Sequence, residues 1–348
     1  MLGPALIRRL LVVCVAVCCC TNFADADAFD DFAKDYPTPF TDHNRVMGFI
    51  LNFDYGHIDP LDRILEEYVS MCEGGWDPSL VIHTTVARSA KMMRNMAQKT
   101  YCYRTNRSIP IRMDLHDPSV GTGLGMKHKK FLREEMNNSD IFLYHEDDIV
   151  FKFSHLAAFV NETKTLYDLD PELMRDHIFG FQRYYRILRG ERHGDPYTEK
   201  DVLEQDLLEE VPQYHPICIK DKPYLVASGN THQAIWLFTA AQVRYLQERC
   251  NFADHEQPSR EFMSSFLVFE HKSGHCAMNK LIGAERLYTM SILHYYHQKH
   301  MSWKLLSTAD ENLRAGYHLY SEPRDPLHIP PCWEEIVERN RKEQAILP

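Results

Sequence analysis

The stretch Ile141-Phe142-Leu143-Tyr144-His145-Glu146-Asp147-Asp148 decides how the rest of the chain is read. Four uninterrupted apolar residues, with the turn formers Asn138-Ser139-Asp140 before them, predict a short strand buried on both faces. Three consecutive carboxylates follow it. Like charges crowded at a strand end are unfavourable unless water or a cation screens them. In open α/β sheets, ligands gather outside the carboxyl ends of the strands. Hard divalent cations take carboxylate oxygens and bind nucleotide phosphates beside one or two such groups. The plainer reading is a solvated acidic turn.

Upstream of this strand, elements alternate. Arg45 to Phe53 reads as a buried strand, and Pro60 to Cys72 as a helix with Leu61, Ile64, Leu65 and Val69 on one face. Leu80 to Thr84 is a second strand, Ala87 to Gln98 a helix, Ile109 to Leu115 a third strand and Gly125 to Met136 a helix. This rhythm predicts a mostly parallel sheet covered on both faces. Downstream, His177 to Phe181, Tyr224 to Ala227 and Lys280 to Arg286 read as strands, and Thr239 to Arg249 and Ser259 to Phe269 as helices. Gly190 to Gln213 is polar and acidic, and reads as a long surface loop or lid.

The chain has 348 residues, 44% hydrophobic and 25% charged, enough to bury a sizeable core. A net charge of −10 argues against nucleic acid or an anionic membrane surface as partner. Arg8 and Arg9 precede an apolar run from Leu10 to Cys20, short for a bilayer span, and small residues follow at Ala24, Ala26 and Ala28. Residues 1–28 read as a signal peptide or a short signal anchor, the only membrane contact expected. An acidic stem follows over 29–43, a single domain over 44–305, and an extension packed on it over 306–348. Six of the ten cysteines lie beyond the signal: Cys72, Cys102, Cys218, Cys250, Cys276 and Cys332. In an oxidising compartment they predict up to three disulfides of open connectivity. Sequons at Asn106, Asn137 and Asn161 agree with a lumenal address.

A strand ending in an acid-x-acid motif after an α/β nucleotide-binding half resembles the GT-A glycosyltransferases. The resemblance implies a Rossmann-like α/β fold with a mixed, mostly parallel sheet flanked by helices. It aligns Glu146-Asp147-Asp148 with the family's DxD motif, glutamate standing first. It implies Mn2+ or Mg2+ on Glu146 and Asp148, with Asp147 near the donor sugar or ribose. Tyr224 to Asn230 matches a strand leading into a small glycine loop, which places Ser228 and Gly229 at the donor, and a helix follows at Thr239. Glu261, at the head of a predicted helix, matches the base of inverting members, although a first-turn carboxylate also suits the helix dipole. His294 matches a further metal ligand, with His297 second, against a plain reading as exposed tail histidines.

Arg183 and Tyr184 follow a predicted strand, where a guanidinium and a ring suit phosphate or a sugar acceptor. The glycines of Gly121-Thr122-Gly123-Leu124-Gly125 fit neither GxGxxG nor a P-loop, and read as a turn near the donor. No GxSxG is present, so a serine hydrolase is unsupported. The partners implied are a nucleotide-sugar donor and a glycan or glycoprotein acceptor, in the Golgi or endoplasmic reticulum lumen or after secretion. The rival readings are a non-catalytic lumenal sugar- or partner-binding protein on a degenerate scaffold of this kind, and a secreted metal-dependent hydrolase.

Overall fold

The computed structural model describes residues 32–40, 44–52, 58–188, 204–208, 213–228, 234–254, 268, 276–283, 291–294, 330–335 and 338. The chain forms two compact units, Met1–Pro37 and Thr38–Pro348. In the first, the described part holds a short helix α1 (Phe32–Asp35). No helix among the described residues is long and apolar enough to cross a membrane.

The second unit is an α/β domain with a mixed, mostly parallel central sheet, as the strand–helix alternation predicts. Its first half runs β1 (Arg45–Asn52), α2 (Ile58–Glu73), β2 (Asp77–Thr84), α3 (Ala90–Lys99), a two-residue ladder of β3 (Tyr101–Cys102) with β4 (Arg107–Ser108), and β5 (Ile111–Leu115). A 3-10 stretch (Pro118–Met126) and α4 (His128–Glu135) lead into β6 (Ile141–Glu146) and the short β7 (Ile149–Val150). The central sheet has the order β13-β6-β1-β2-β5, in which β13 (Ile235–Thr239) is the one antiparallel strand. Beyond Arg45 every residue of β1 is buried, and the whole of β13 is buried. Such strands sit where both faces are covered. α2 covers one face with Leu61, Ile64, Leu65, Tyr68 and Met71, a stripe at helical spacing. Tyr68 reaches β1 at Gly48, where a Cβ would overlap its hydroxyl and the Leu80 side chain.

After β7 come α5 (Phe153–Leu169), α6 (Leu173–Asp176), β8 (His177–Phe179), β9 (Gln182–Leu188), β10 (Glu204–Leu208), β11 (Gln213–Ile219) and β12 (Lys222–Ser228). β13, α7 (Ala240–Cys250), β14 (Asn279–Gly283), β15 (Ser291–His294) and a 3-10 turn (Pro331–Trp333) complete the described elements. These later strands build two smaller sheets, β10-β9-β15-β7 and β11-β12-β14-β8. The Gly190–Gln213 segment is therefore not all loop: Glu204–Leu208 pairs antiparallel with β9. A polar sequence can serve at a sheet edge, because backbone pairing there needs no apolar face. A strand, β13, also intervenes between the predicted glycine loop and the helix of Thr239. That helix begins at Ala240 with Thr239 as its cap, the hydroxyl accepting from the Gln242 amide at 3.1 Å.

Three disulfides join Cys72–Cys102, Cys218–Cys332 and Cys250–Cys276. The second ties the segment around Trp333 to β11, where the buried Trp333 indole donates to the Ile217 carbonyl at 3.0 Å.

Candidate active site

The acid motif occupies the end of β6 and the turn into β7, at the carboxyl edge of the central sheet. Its backbone is held on both sides. The Glu146 amide donates to the Ala234 carbonyl at 3.1 Å and the Asp147 amide to the Leu51 carbonyl at 2.9 Å. Beneath it lies His145, fully buried. Its Nδ1 is 3.1 Å from the Glu146 carbonyl, which can only accept, so the ring proton resides there. Nε2 then accepts from the Tyr68 hydroxyl at 3.1 Å. Burial pushes the His145 imidazole down to about 4 and the Tyr68 phenol upward, so both stay neutral in the fold.

The three carboxylates differ in setting. Glu146 and Asp148 are half-buried, while Asp147 is only 2% exposed. The Asp147 carboxylate turns inward and accepts from the side-chain amide of Asn52, the last residue of β1. The Asn52 carbonyl oxygen in turn accepts from the Arg88 guanidinium, just after β2. This chain of three polar groups ties the acidic turn to two neighbouring strand ends. Sequence reading passed over Asn52 and Arg88. The available signal was an amide closing an otherwise apolar strand and a lone cation in the following turn.

Backbone pairing brings further predicted residues to this edge. His294 closes β15, which runs antiparallel to β7 with His294 opposite Ile149, the residue after Asp148. On its other side β15 runs parallel to β9, pairing Ile292 with Arg183 and Leu293 with Tyr184. The strand carrying Arg183 and Tyr184, the strand carrying His294, and β7, which starts directly after the acid motif, are thus successive members of one small sheet, about 5 Å apart each. Ser228 ends β12, opposite Gln213, in the other small sheet. Gly229, Glu261 and His297 lie outside the described residues. The sequon residues Asn106, Asn137 and Asn161 are all exposed. The glycine-rich turn falls within the 3-10 stretch before α4, where Gly121 takes φ +49°, a conformation that favours glycine.

No family model matches this chain, and no curated protein matches it. Solved structures are similar in part. The crystal structure of GalNAc-T7 with UDP, GalNAc and Mn2+ is 9% identical, with 87% of this chain and 55% of that one covered and a TM-score of 0.42. The S. aureus TarS structure of residues 1–349 is 10% identical, with 63% and 54% covered and a TM-score of 0.32. The chain spans about half the length of either.

Proposed function

We propose that this protein is a glycosyltransferase that moves a sugar from a nucleotide-sugar donor to a hydroxyl acceptor in the secretory-pathway lumen. The observation that carries the reading is the placement of Glu146 and Asp148, both half-buried, at a strand's carboxyl end, with the strand of His294 paired to the strand that follows them. Two carboxylates and an imidazole make a donor set suited to Mn2+ or Mg2+. When bound, such an ion offsets the negative charge that grows on a departing diphosphate.

The chain's own residues have the remaining tasks. Asp147, fixed by Asn52 and Arg88, holds the acidic turn in place beside the donor. Ser228 and Gly229 serve to bind the donor sugar. Arg183 and Tyr184 bind phosphate or the acceptor. In an inverting course, Glu261 takes the proton from the acceptor hydroxyl. The acceptor oxygen bonds to the anomeric carbon, and the bond from that carbon to the diphosphate oxygen breaks with its electron pair leaving on the nucleotide. The lumenal address is supported by three disulfides and three exposed sequons.

The test is a thermal-unfolding panel with UDP, GDP, CMP or ADP, each with Mn2+ or with chelator. A ligand that binds only the native state raises its apparent stability. One nucleotide should stabilise the protein only with metal, and Asp148→Asn should remove that shift and sugar transfer while leaving the unliganded midpoint nearly unchanged. No shift with any nucleotide would favour the binding-protein or hydrolase reading instead.

A further inference from the structure

At the far side of the same sheet edge, three ligand-type side chains meet. His83 is the penultimate residue of β2 and Asp114 the penultimate residue of β5, and the two are paired in register. His116 follows two residues on, and its backbone amide donates to the Thr84 carbonyl at 2.8 Å. All three backbones are therefore fixed by sheet hydrogen bonds. The same row of the sheet runs Glu146, Leu51, His83, Asp114, so His83 stands two strands from the acid motif, roughly 10 Å away.

The ligand atoms form a closed triangle. His83 Nδ1 is 3.3 Å from Asp114 Oδ2, His116 Nε2 is 2.9 Å from the same oxygen, and the two nitrogens are 3.2 Å apart. Hydrogen bonds account for at most two of its three edges. Each nitrogen carries at most one hydrogen, each hydrogen points along one edge, and the carboxylate contributes none, so one short contact is always left over. A cation over the triangle attracts all three atoms. At these edge lengths, an ion about 2.0–2.1 Å from each ligand sits roughly 1 Å above their plane, the arrangement of three protein ligands on zinc.

We propose that His83, Asp114 and His116 form a binding site for a divalent transition metal, zinc in the first place, separate from the acid motif. Two imidazoles and one carboxylate are the donor types zinc takes. The His83 ring is packed against Phe49 and Phe131, with centroids 6.4 and 5.5 Å away, so its orientation is set before any ion arrives. His83 is fully buried, whereas the Asp114 and His116 side chains are 28% and 17% exposed. The remaining coordination position therefore faces solvent and takes water or an anionic oxygen. A metal-bound His83 keeps its proton on Nε2, which finds no hydrogen-bond acceptor among the described residues. Such an outer partner commonly contributes roughly 10–100-fold in affinity, so this site binds more weakly than one that has it.

The experiment loads the chelator-treated protein with zinc alone, desalts it, and measures zinc per chain by elemental analysis. The wild type and Asp148→Asn should retain zinc in near-stoichiometric amount. His116→Ala and Asp114→Asn, both at partly exposed positions, should lose it while keeping native circular dichroism. Because Asp148→Asn is the variant expected to abolish metal-dependent nucleotide binding, failure of one reading is distinguishable from failure of the other. Zinc absent from the wild type, or retained equally by both folded variants of the triangle, overturns the proposal.

Discussion

His128 carries an imidazole into an aromatic box. Its ring centroid is 4.8 Å from Tyr144, 5.4 Å from Trp236 and 5.5 Å from Phe49, and Nδ1 donates to the Gly125 carbonyl at 2.9 Å. Burial is the largest cause pushing its pKa well below the ordinary 6.5, and it pushes His83 and His145 down to about 4. The sign follows from which state binds protons. Below 6.5 the unfolded chain takes them up while the folded chain holds these rings neutral, so stability present above 6.5 is lost as pH falls. The thermal midpoint should decline as pH drops below 6.5, and His128→Phe should flatten that decline. An unchanged slope in the variant would remove His128 as a cause. At this scale the acid motif was legible because its members are adjacent. The inward turn of Asp147 was not, because its partner Asn52 lies 95 residues earlier.

Among the elements, the tightest fit is between β1 and α2. The Gly48 Cα lies under the Tyr68 hydroxyl, and Tyr68 in turn orients His145. Gly48→Ala forces that ring aside, which should destabilise the fold by roughly 1–3 kcal/mol. It should also weaken metal-dependent nucleotide binding, because the turn holding Glu146 loses its support. A denaturant titration with a nucleotide panel checks both, and a variant as stable as wild type would show that the packing yields freely. The alternating first half of the domain was readable because its buried positions are apolar at strand or helix spacing. α5 was not, since its covered face includes His155, Glu162 and Thr163, which break the apolar period. β13 was missed for a different reason: nothing local announces a five-residue strand whose partner, β6, lies about ninety residues back in the chain. The meeting of β7, β15 and β9 is also non-local, so the order of motifs was visible but their adjacency was not.

For the molecule as a whole, a disulfide and a buried indole help hold the described C-terminal segment. The Cys218–Cys332 bridge closes a loop with a sequence separation of 114, for which the chain-entropy account gives roughly 2–5 kcal/mol. Cys332→Ser should lower the unfolding free energy by that order and open the Trp333 segment to limited proteolysis. A variant as stable and protease-resistant as wild type would mean that the Trp333 contact suffices. The even cysteine count allowed up to three bridges. It said nothing of which partners meet, because pairing is fixed by the fold.

Cys250–Cys276 lies wholly inside Cys218–Cys332. A chain threaded amino end first into an oxidising lumen presents Cys218 to Cys250 and Cys276 before Cys332 has been synthesised. Oxidation in order of emergence would join Cys218 to Cys250, and reaching the native set then requires thiol–disulfide exchange. Maturation should therefore depend on an isomerase, and a product terminated before Cys332 keeps an unmatched thiol at Cys218. Such a thiol is a chemical label by which unfinished copies can be held back, so the bridge that closes last also certifies that translation has passed Cys332.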